Sequence, residues 1–313
     1  MINKQKTIYL ANPRGVCAGV IRAINIVEKA LCEIGAPIFV RHQIVHNRFV
    51  IENFKSQGAI FAENLDEIPS ASTVIFSAHG VAPDIIEKAH VLGLKTIDAT
   101  CPIVRAIHKK AVDLKRNGWT IILIGHKSHP EIIGTIGHLR GSAIVVENEY
   151  DALHCQIPRD KEKITYLTQT TLSPDDVAPI TAILKKHYKH LVEPERNNIC
   201  YATLERQQAV REIAPFCDIF FVIGSMESSN SKRLREVAEQ TGTNSLLINS
   251  YSEIDPSILK GINAIGLSAG ASAPDILLEE TISFLKRQGF MNIVDSKNDL
   301  KSEKKVKKCK TKH

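Results

Sequence analysis

The chain has 313 residues, of which 43% are hydrophobic, and it carries a net charge of +6. This length is too great for one small core and suits two or three compact units. Eight lysines against two carboxylates after residue 295 account for the whole net charge. The segment 296–313 is therefore predicted to be a Lys-rich disordered tail, and this location of the charge disfavours nucleic-acid binding. The sequence has neither a signal peptide nor an apolar run of the roughly 20 residues that span a membrane, which predicts a cytoplasmic protein with no membrane partner.

Short apolar runs alternate with amphipathic segments along the chain. Nine runs are predicted to be β-strands, because they are rich in β-branched residues and too short for helices: TIYLAN, PIFVRH, VIFSAHG, TIILIGH, AIVVE, ITYLTQ, DIFFVIG, SLLIN and AIGLSAG. Four of the segments between them have helical periodicity and end at Gly35, Gly118, Gly242 and Gly289. Such alternation predicts an α/β fold with parallel sheets.

Three of the seven cysteines, Cys17, Cys101 and Cys200, each come just before a predicted helix. Pro102 suits the first helical position, which predicts Cys101 as the N-cap. A helix N-terminus favours the thiolate form of a cysteine, although a single such residue is more often a small buried side chain. The three cysteines are 84 and 99 residues apart, about one α/β module each. This spacing predicts three similar modules, with limits 17–101, 102–197 and 198–290.

Closed zinc sites and fully ligated iron–sulfur clusters take four protein ligands. Three thiolates brought together by such modules would therefore leave one metal position open. Thiolate-only ligation favours an iron–sulfur cluster over zinc, but the spacing leaves both possible. The other cysteines are interpreted as structural or incidental.

Polar loops follow most of the predicted strands: IVHN (44–47), SAHG (77–80), GHKSHPE (125–131), TQTT (168–171), GSMESSNS (224–231) and SAGASAPD (268–275). Ligands of parallel sheets bind at these carboxyl ends, where helix N-termini present N–H groups. The loops therefore predict a phosphate ester or diphosphate ligand. Helix capping by Ser229, Ser231 or Ser272 is the simpler alternative. Neither a Walker A motif nor a G-x-G-x-x-G motif is present in the sequence.

Four titratable residues in these loops could act on such a ligand. His46, His79 and His129 could donate hydrogen bonds to an anion, or could simply be solvated. Glu131 is the best candidate for proton delivery, although a carboxylate in the first turn of a helix is also favourable to the helix dipole.

Nine motifs in this order resemble those of the 4-hydroxy-3-methylbut-2-enyl diphosphate reductases, which catalyse the last step of the non-mevalonate isoprenoid pathway. The motifs are ANPRGVCAGVIRAI, HNR, SAHGV, DATCP, GHKSHPE, TQTTLS, NICYATLERQ, GSMESSNSKRL and AGASAPD, and the resemblance covers residues 7 to about 290. The resemblance implies a trefoil of three similar α/β modules around a central iron–sulfur cluster.

The resemblance also implies roles for individual residues. Cys17, Cys101 and Cys200 would hold a [4Fe–4S] cluster with one open iron for the C4 hydroxyl of the substrate. Glu131 would deliver protons, and Thr170 would lie near the allylic alcohol. The diphosphate would bind at the matching positions, which are His46, His79, His129, Ser228, Ser229, Asn230 and Ser272.

The family reaction removes the hydroxyl with two electrons and gives isopentenyl and dimethylallyl diphosphate. A ferredoxin or flavodoxin would supply the electrons. Two alternatives from other classes are a Cys₃ zinc hydrolase acting on a phosphate ester and a non-catalytic iron–sulfur sensor.

Overall fold

The computed structural model describes residues 5–158, 162–195 and 198–297. Within these ranges, thirteen strands form three sheets in which all neighbouring strands are parallel. The chain divides into two compact units. We call residues 18–45 and 49–200 the two-sheet unit, and the described residues of 1–17, 46–48 and 201–313 the one-sheet unit.

The first sheet of the two-sheet unit has the strand order β3-β2-β4-β5. Its strands are β2 (Ile38–Arg41), β3 (Ala59–Ala62), β4 (Thr73–Phe76) and β5 (Lys95–Asp98). The helices along this stretch are α1 (Ala18–Glu33), α2 (Arg48–Ser56), α3 (Pro83–Val91) and α4 (Pro102–Arg116), with a 3₁₀ turn at Leu65–Glu67. Two buried apolar clusters pack the helices onto the sheet, one around Val27 and Phe54 and the other around Phe76 and Ala89.

The second sheet of the two-sheet unit has the order β7-β6-β8-β9. Its strands are β6 (Thr120–Ile124), β7 (Ile144–Val146), β8 (Ile164–Thr168) and β9 (Leu191–Val192). The helices are α5 (Pro130–His138), α6 (Glu149–His154) and α7 (Pro174–His187). A cluster that contains Ile107, Leu123 and Leu167 joins α4 to this sheet.

The one-sheet unit contains the order β11-β10-β12-β1-β13. Its strands are β1 (Thr7–Leu10), β10 (Ile219–Ile223), β11 (Ser245–Ile248), β12 (Ala264–Ala269) and β13 (Asn292–Asp295). The helices are α8 (Tyr201–Ile213), α9 (Ser229–Gln240) and α10 (Asp275–Arg287), with 3₁₀ turns at Ala214–Phe216, Tyr251–Glu253 and Pro256–Leu259. Separate apolar clusters, around Phe221 and around Phe220, cover the two faces of this sheet.

The three sheets repeat one pattern. In each sheet, the first strand of the module along the chain lies between the second and the third, and a fourth strand lies next to the third. In the one-sheet unit this fourth place is taken by β1, from the N-terminus. The prediction of three α/β modules with parallel sheets is therefore confirmed. The module limits 17–101, 102–197 and 198–290 stay predictions, and β1 and β13 both lie outside them while pairing within the third sheet.

The predicted elements agree closely with the structure. All nine predicted strands are present, and the four predicted terminal glycines each lie two residues beyond the last residue of a helix. The sequence prediction missed β3, β5, β9 and β13, and all four are edge strands. The predicted tail lies outside the described residues from residue 298 onward, as does Cys309. Among the helices of the described ranges, none has the length and apolar character to cross a membrane.

Candidate active site

Glu131 and Thr170 form a buried pair in the two-sheet unit. Glu131 lies in the first turn of α5, and Thr170 lies two residues beyond β8. The carboxyl Oε1 accepts a hydrogen bond from the Thr170 backbone N–H at 2.8 Å, and Oε2 accepts one from the Thr170 hydroxyl at 2.6 Å. The residues are 3% and 6% exposed. These two hydrogen bonds hold the Glu131 carboxyl group in one orientation at the carboxyl ends of β6 and β8.

Burial raises the pKa of Glu131 to about 7, although the two hydrogen bonds from Thr170 favour the charged form. A carboxyl group with this pKa is partly protonated near neutral pH, as a general acid requires. The first-turn position that the sequence indicated is confirmed, but the side chain is buried and bonded to another loop. It is therefore more than a solvated partner of the helix dipole.

Two histidines lie beside this acid. His129 caps α5, and its Nδ1 accepts a hydrogen bond from the Glu131 N–H at 3.2 Å. In neutral His129 the proton is therefore on Nε2. The ring of His79 is 5.8 Å from that of His129, edge to face, and the Nδ1 of His79 is 3.2 Å from the Ser77 hydroxyl. The structure thus groups four of the predicted site residues: His79, His129, Glu131 and Thr170.

Replacement of Thr170 by valine should raise the pKa of Glu131, since it removes the hydroxyl that favours the carboxylate. A hydrogen bond to a charged group contributes about 1.5–3 kcal/mol, so its loss should raise the pKa of Glu131 by about one unit or more. If protonated Glu131 is the acid, kcat falls as pH rises through its pKa, and in Thr170→Val this fall should move to higher pH. A pH profile of kcat measures the shift, with Thr165→Val as the control because the Thr165 hydroxyl donates to Val192 O. An unmoved profile would contradict the assigned acid.

The three predicted cysteine ligands share one backbone arrangement. Each directly precedes the first residue of a helix: Cys17 precedes α1, Cys101 precedes α4 and Cys200 precedes α8. Their N–H groups donate to Ala271 O, Ala78 O and Thr170 O, at 3.1, 2.9 and 2.9 Å. Each acceptor lies two residues beyond the strand that is third in chain order within its module, which is β12, β4 and β8 respectively. Cys101 is the N-cap of α4, as predicted.

The equivalent arrangement places the cysteines at matching points of the three modules. All three cysteines are partly exposed. Among the described residues, no three His, Cys, Asp or Glu side chains are close enough together to hold a single metal ion.

Polar residues in the one-sheet unit gather at the start of α9. Ser228 is the N-cap, and its hydroxyl accepts from the Ser231 N–H at 3.3 Å and from the Ser231 hydroxyl at 3.1 Å. The capping alternative is therefore corrected, because Ser228 rather than Ser229 or Ser231 caps this helix. Ser229 and Asn230 follow in its first turn, where backbone N–H groups and the helix dipole favour an anion.

The side chain of Asn230 is buried and unpaired within the described part of the chain. The residue is 4% exposed, and neither its amide oxygen nor its amide nitrogen has a hydrogen-bond partner among the described residues. Burying such groups unpaired costs free energy, which a polar partner from outside the chain would recover. Ser231 packs against two glycines, since a Cβ on Gly224 or Gly270 would lie only 2.2 or 2.1 Å from its hydroxyl. This packing fixes the first turn of α9.

Ser272 holds the loop that carries His46. Its hydroxyl donates to His46 O at 2.9 Å, and the residue is 6% exposed. Ser272 is not the N-cap of α10, since Pro274 occupies that position. The capping alternative is thus wrong for Ser272 as well.

The predicted ligand-binding residues occur at repeated positions. His46, His129 and Ser228 each lie five residues beyond the first strand of their sheet, and Glu131 and Asn230 lie seven residues beyond it. His79 and Ser272 lie three residues beyond the third strand. The modules therefore present different side chains from equivalent backbone points.

Sequence reasoning missed the role of two residues that support the site. Gln169 is fully buried; its amide oxygen accepts from the His126 N–H at 3.0 Å and its amide nitrogen donates to the Thr171 hydroxyl at 2.7 Å. It ties the loop after β6 to the loop after β8. Ser231 supports Ser228 as described above. Both residues lie within the polar loops that the sequence pattern identified.

The fold and these loops define an α/β enzyme of three parallel-sheet modules, with a buried acid at the carboxyl ends of its strands. The family model described as LytB protein matches residues 8–286. The chain therefore belongs to the LytB family.

Named relatives agree with this assignment. The 4-hydroxy-3-methylbut-2-enyl diphosphate reductase 2 of Burkholderia mallei is 48% identical over 286 residues, which are 91% of this chain and 87% of that protein. The structure of the E-1-hydroxy-2-methyl-but-2-enyl-4-diphosphate reductase from Plasmodium falciparum is similar with a TM-score of 0.88 and 39% identity, covering 93% of this chain and 92% of that one. A structure of (E)-4-hydroxy-3-methyl-but-2-enyl diphosphate reductase, described as the terminal enzyme of the non-mevalonate pathway, gives a TM-score of 0.65 and 33% identity, with coverage of 90% and 100%. The resemblance found in the sequence is thus confirmed.

Proposed function

We propose that this chain reduces (E)-4-hydroxy-3-methylbut-2-enyl diphosphate to isopentenyl and dimethylallyl diphosphate. The reaction breaks the allylic C–O bond, uses two electrons and two protons, and releases water. The observation that carries the proposal is the buried Glu131–Thr170 pair, with a carboxyl pKa near 7, in a chain that matches the family over residues 8–286. A ferredoxin or a flavodoxin is the proposed electron donor.

Cys17, Cys101 and Cys200 would hold a [4Fe–4S] cluster. Three equivalent cysteines at helix N-termini suit this group, since cysteine thiolates are the ligands of iron–sulfur clusters. Such a cluster, when bound, supplies electrons and an open Lewis-acidic iron for the allylic oxygen.

Glu131 is proposed to hold the proton that the leaving hydroxyl takes. Its carboxyl group is partly protonated near neutral pH. It can donate this proton and then take up another from solvent through polar groups. The Thr170 hydroxyl bonds the carboxyl group and thereby orients the proton. His79, in the loop after β4, and His129, in the loop after β6, can donate hydrogen bonds to an anionic substrate.

Asn230, Ser228, Ser229, Ser272 and His46 are proposed to bind the diphosphate. The unpaired amide of Asn230 in the first turn of α9 is the support for this role, because N–H donors and the helix dipole there suit phosphate oxygens.

Replacement of Asn230 by alanine should therefore weaken substrate binding with little loss of stability. Its side-chain amide makes no hydrogen bond to the described residues, so truncation breaks none of those seen, whereas about 1.5–3 kcal/mol of charge-assisted bonding to the ligand is lost. We expect KM to rise roughly 10- to 100-fold, measured by steady-state kinetics. The matched control is Asn148→Ala, which removes the N-cap of α6 and should lower the melting temperature without changing KM. A normal KM for Asn230→Ala would remove Asn230 from the site.

Anaerobic isolation tests the proposed cofactor. The protein should be brown, with the broad visible absorption of an iron–sulfur cluster and close to four irons per chain. A colourless protein that contains zinc would favour the hydrolase alternative. A brown protein that does not consume the diphosphate substrate would favour the sensor alternative.

A further inference from the structure

A buried arginine holds the loop that leads into Cys17. Arg206 of α8 donates from Nε and Nη2 to Gly15 O at 3.1 and 2.9 Å, and Nη2 also lies 3.3 Å from Val16 O. Its Nη1 donates to Ala202 O at 2.7 Å. The residue is 5% exposed. A guanidinium group is thus separated from Cys17 by one peptide group.

The two other cysteine loops have cations in a similar relation. Arg22 of α1 donates from Nη1 to Thr100 O, directly before Cys101, at 3.1 Å. Lys110 of α4 donates to Asn198 Oδ1, two residues before Cys200, at 3.4 Å. Each cation therefore lies on a helix that begins just after one cysteine and contacts the loop that precedes another.

Burial ranks the three cations by their expected electrostatic effect. Arg206 is almost fully buried, whereas Arg22 and Lys110 are partly exposed. A charge in a low-dielectric interior acts on its neighbours more strongly than one screened by water.

We propose that Arg206, with smaller contributions from Arg22 and Lys110, raises the reduction potential of the iron–sulfur cluster. This inference rests on the proposed function, because it requires a cluster at the three cysteines. Reduction adds one negative charge to the cluster, and local charge and hydrogen bonding are among the factors that set its potential. Arginine stays protonated in proteins, so its charge favours the reduced state at every working pH. Arg206 is a positioning residue rather than a catalytic one, because it acts on the Cys17 loop through hydrogen bonds to backbone oxygens.

The test is a redox titration of the anaerobically prepared holoprotein, followed by EPR of the reduced cluster. Arg206→Gln should lower the equilibrium constant for cluster reduction at least about tenfold, which is a shift of about 59 mV to more negative potential for one electron. Arg206→Lys keeps the charge and should stay closer to the wild-type potential. Arg211→Gln is the matched control: it removes the same charge five residues further along α8, about 7.5 Å of helix rise, and should have a smaller effect.

An Arg206→Gln protein with a full cluster and the wild-type potential would overturn the proposal. Equal shifts in Arg206→Gln and Arg206→Lys would also overturn it, because they would assign the effect to backbone geometry and not to charge. If Arg206→Gln does not retain a cluster, Arg22→Gln carries the test: a smaller shift of the same sign supports the proposal, and no shift overturns it. A wild-type protein without an iron–sulfur signal would overturn the proposed function, and this inference with it.

Discussion

Glu131→Gln should retain the iron–sulfur cluster and lose most turnover. Glutamine keeps the shape of the side chain and can still accept from the Thr170 N–H, but it cannot deliver a proton. General acid catalysis contributes roughly 10²- to 10⁴-fold in rate, and we expect kcat to fall by about that factor. The measurement is anaerobic turnover with an artificial reductant, with the visible spectrum and the iron content recorded on the same sample.

The control for Glu131→Gln is Glu149→Gln. Glu149 is also a first-turn carboxylate, but it lies exposed on α6. If Glu131 served only the helix dipole, the two variants would behave alike. Normal turnover by Glu131→Gln would contradict the assigned proton-delivery role.

The same variant should also change the pH dependence of stability. The pKa of Glu131 is about 7 in the folded protein and near 4.5 when unperturbed, so the folded state binds more protons between these values. Wild-type stability should therefore fall as pH rises from about 4.5 to about 7, by about 3 kcal/mol in total from this group. Glutamine does not titrate, so denaturant unfolding of Glu131→Gln should lack this fall. Parallel pH curves for the two proteins would show that Glu131 is not buried as described.

Cys101→Ser should lose the cluster and the activity together. Serine is a good N-cap, so the replacement should keep α4 and leave the apoprotein folded while removing one of the three thiolate ligands. We expect the visible absorption to be largely lost and turnover to fall to background. Iron analysis, the visible spectrum and circular dichroism on one preparation separate ligand loss from unfolding.

Cys32→Ser is the matched control for Cys101→Ser. Cys32 lies exposed on α1 and is not among the predicted ligands. Its replacement should leave iron content and turnover unchanged. If Cys101→Ser kept a full cluster with normal activity, Cys101 would not be a ligand.

The sequence predicts the interior strands well and the edge strands poorly, for a physical reason. Interior strands such as β10 are buried along their whole length and appear as continuous apolar runs. The edge strand β5 has two exposed residues of four, and β9 has only two residues. Such strands form because a neighbouring strand supplies their hydrogen bonds, which local sequence does not encode.

The positions of the site residues were predictable, but their partners were not. Motifs placed Glu131 and Thr170 in separate loops, whereas the hydrogen bonds between them depend on the register of β6 and β8. Likewise, a serine-rich turn predicts a cap, but only the structure shows that Ser228 takes this position and Ser272 does not. The link from Arg206 to Gly15 joins residues 191 apart in sequence, and no local pattern indicates such a contact.

The most direct test of the proposed function is turnover of (E)-4-hydroxy-3-methylbut-2-enyl diphosphate by the anaerobic, cluster-loaded protein with a reduced viologen. The expected result is formation of both isopentenyl and dimethylallyl diphosphate, with two electrons consumed for each substrate molecule. A cluster-loaded protein that left the substrate unchanged, or that released phosphate without oxidising the viologen, would contradict the proposed function.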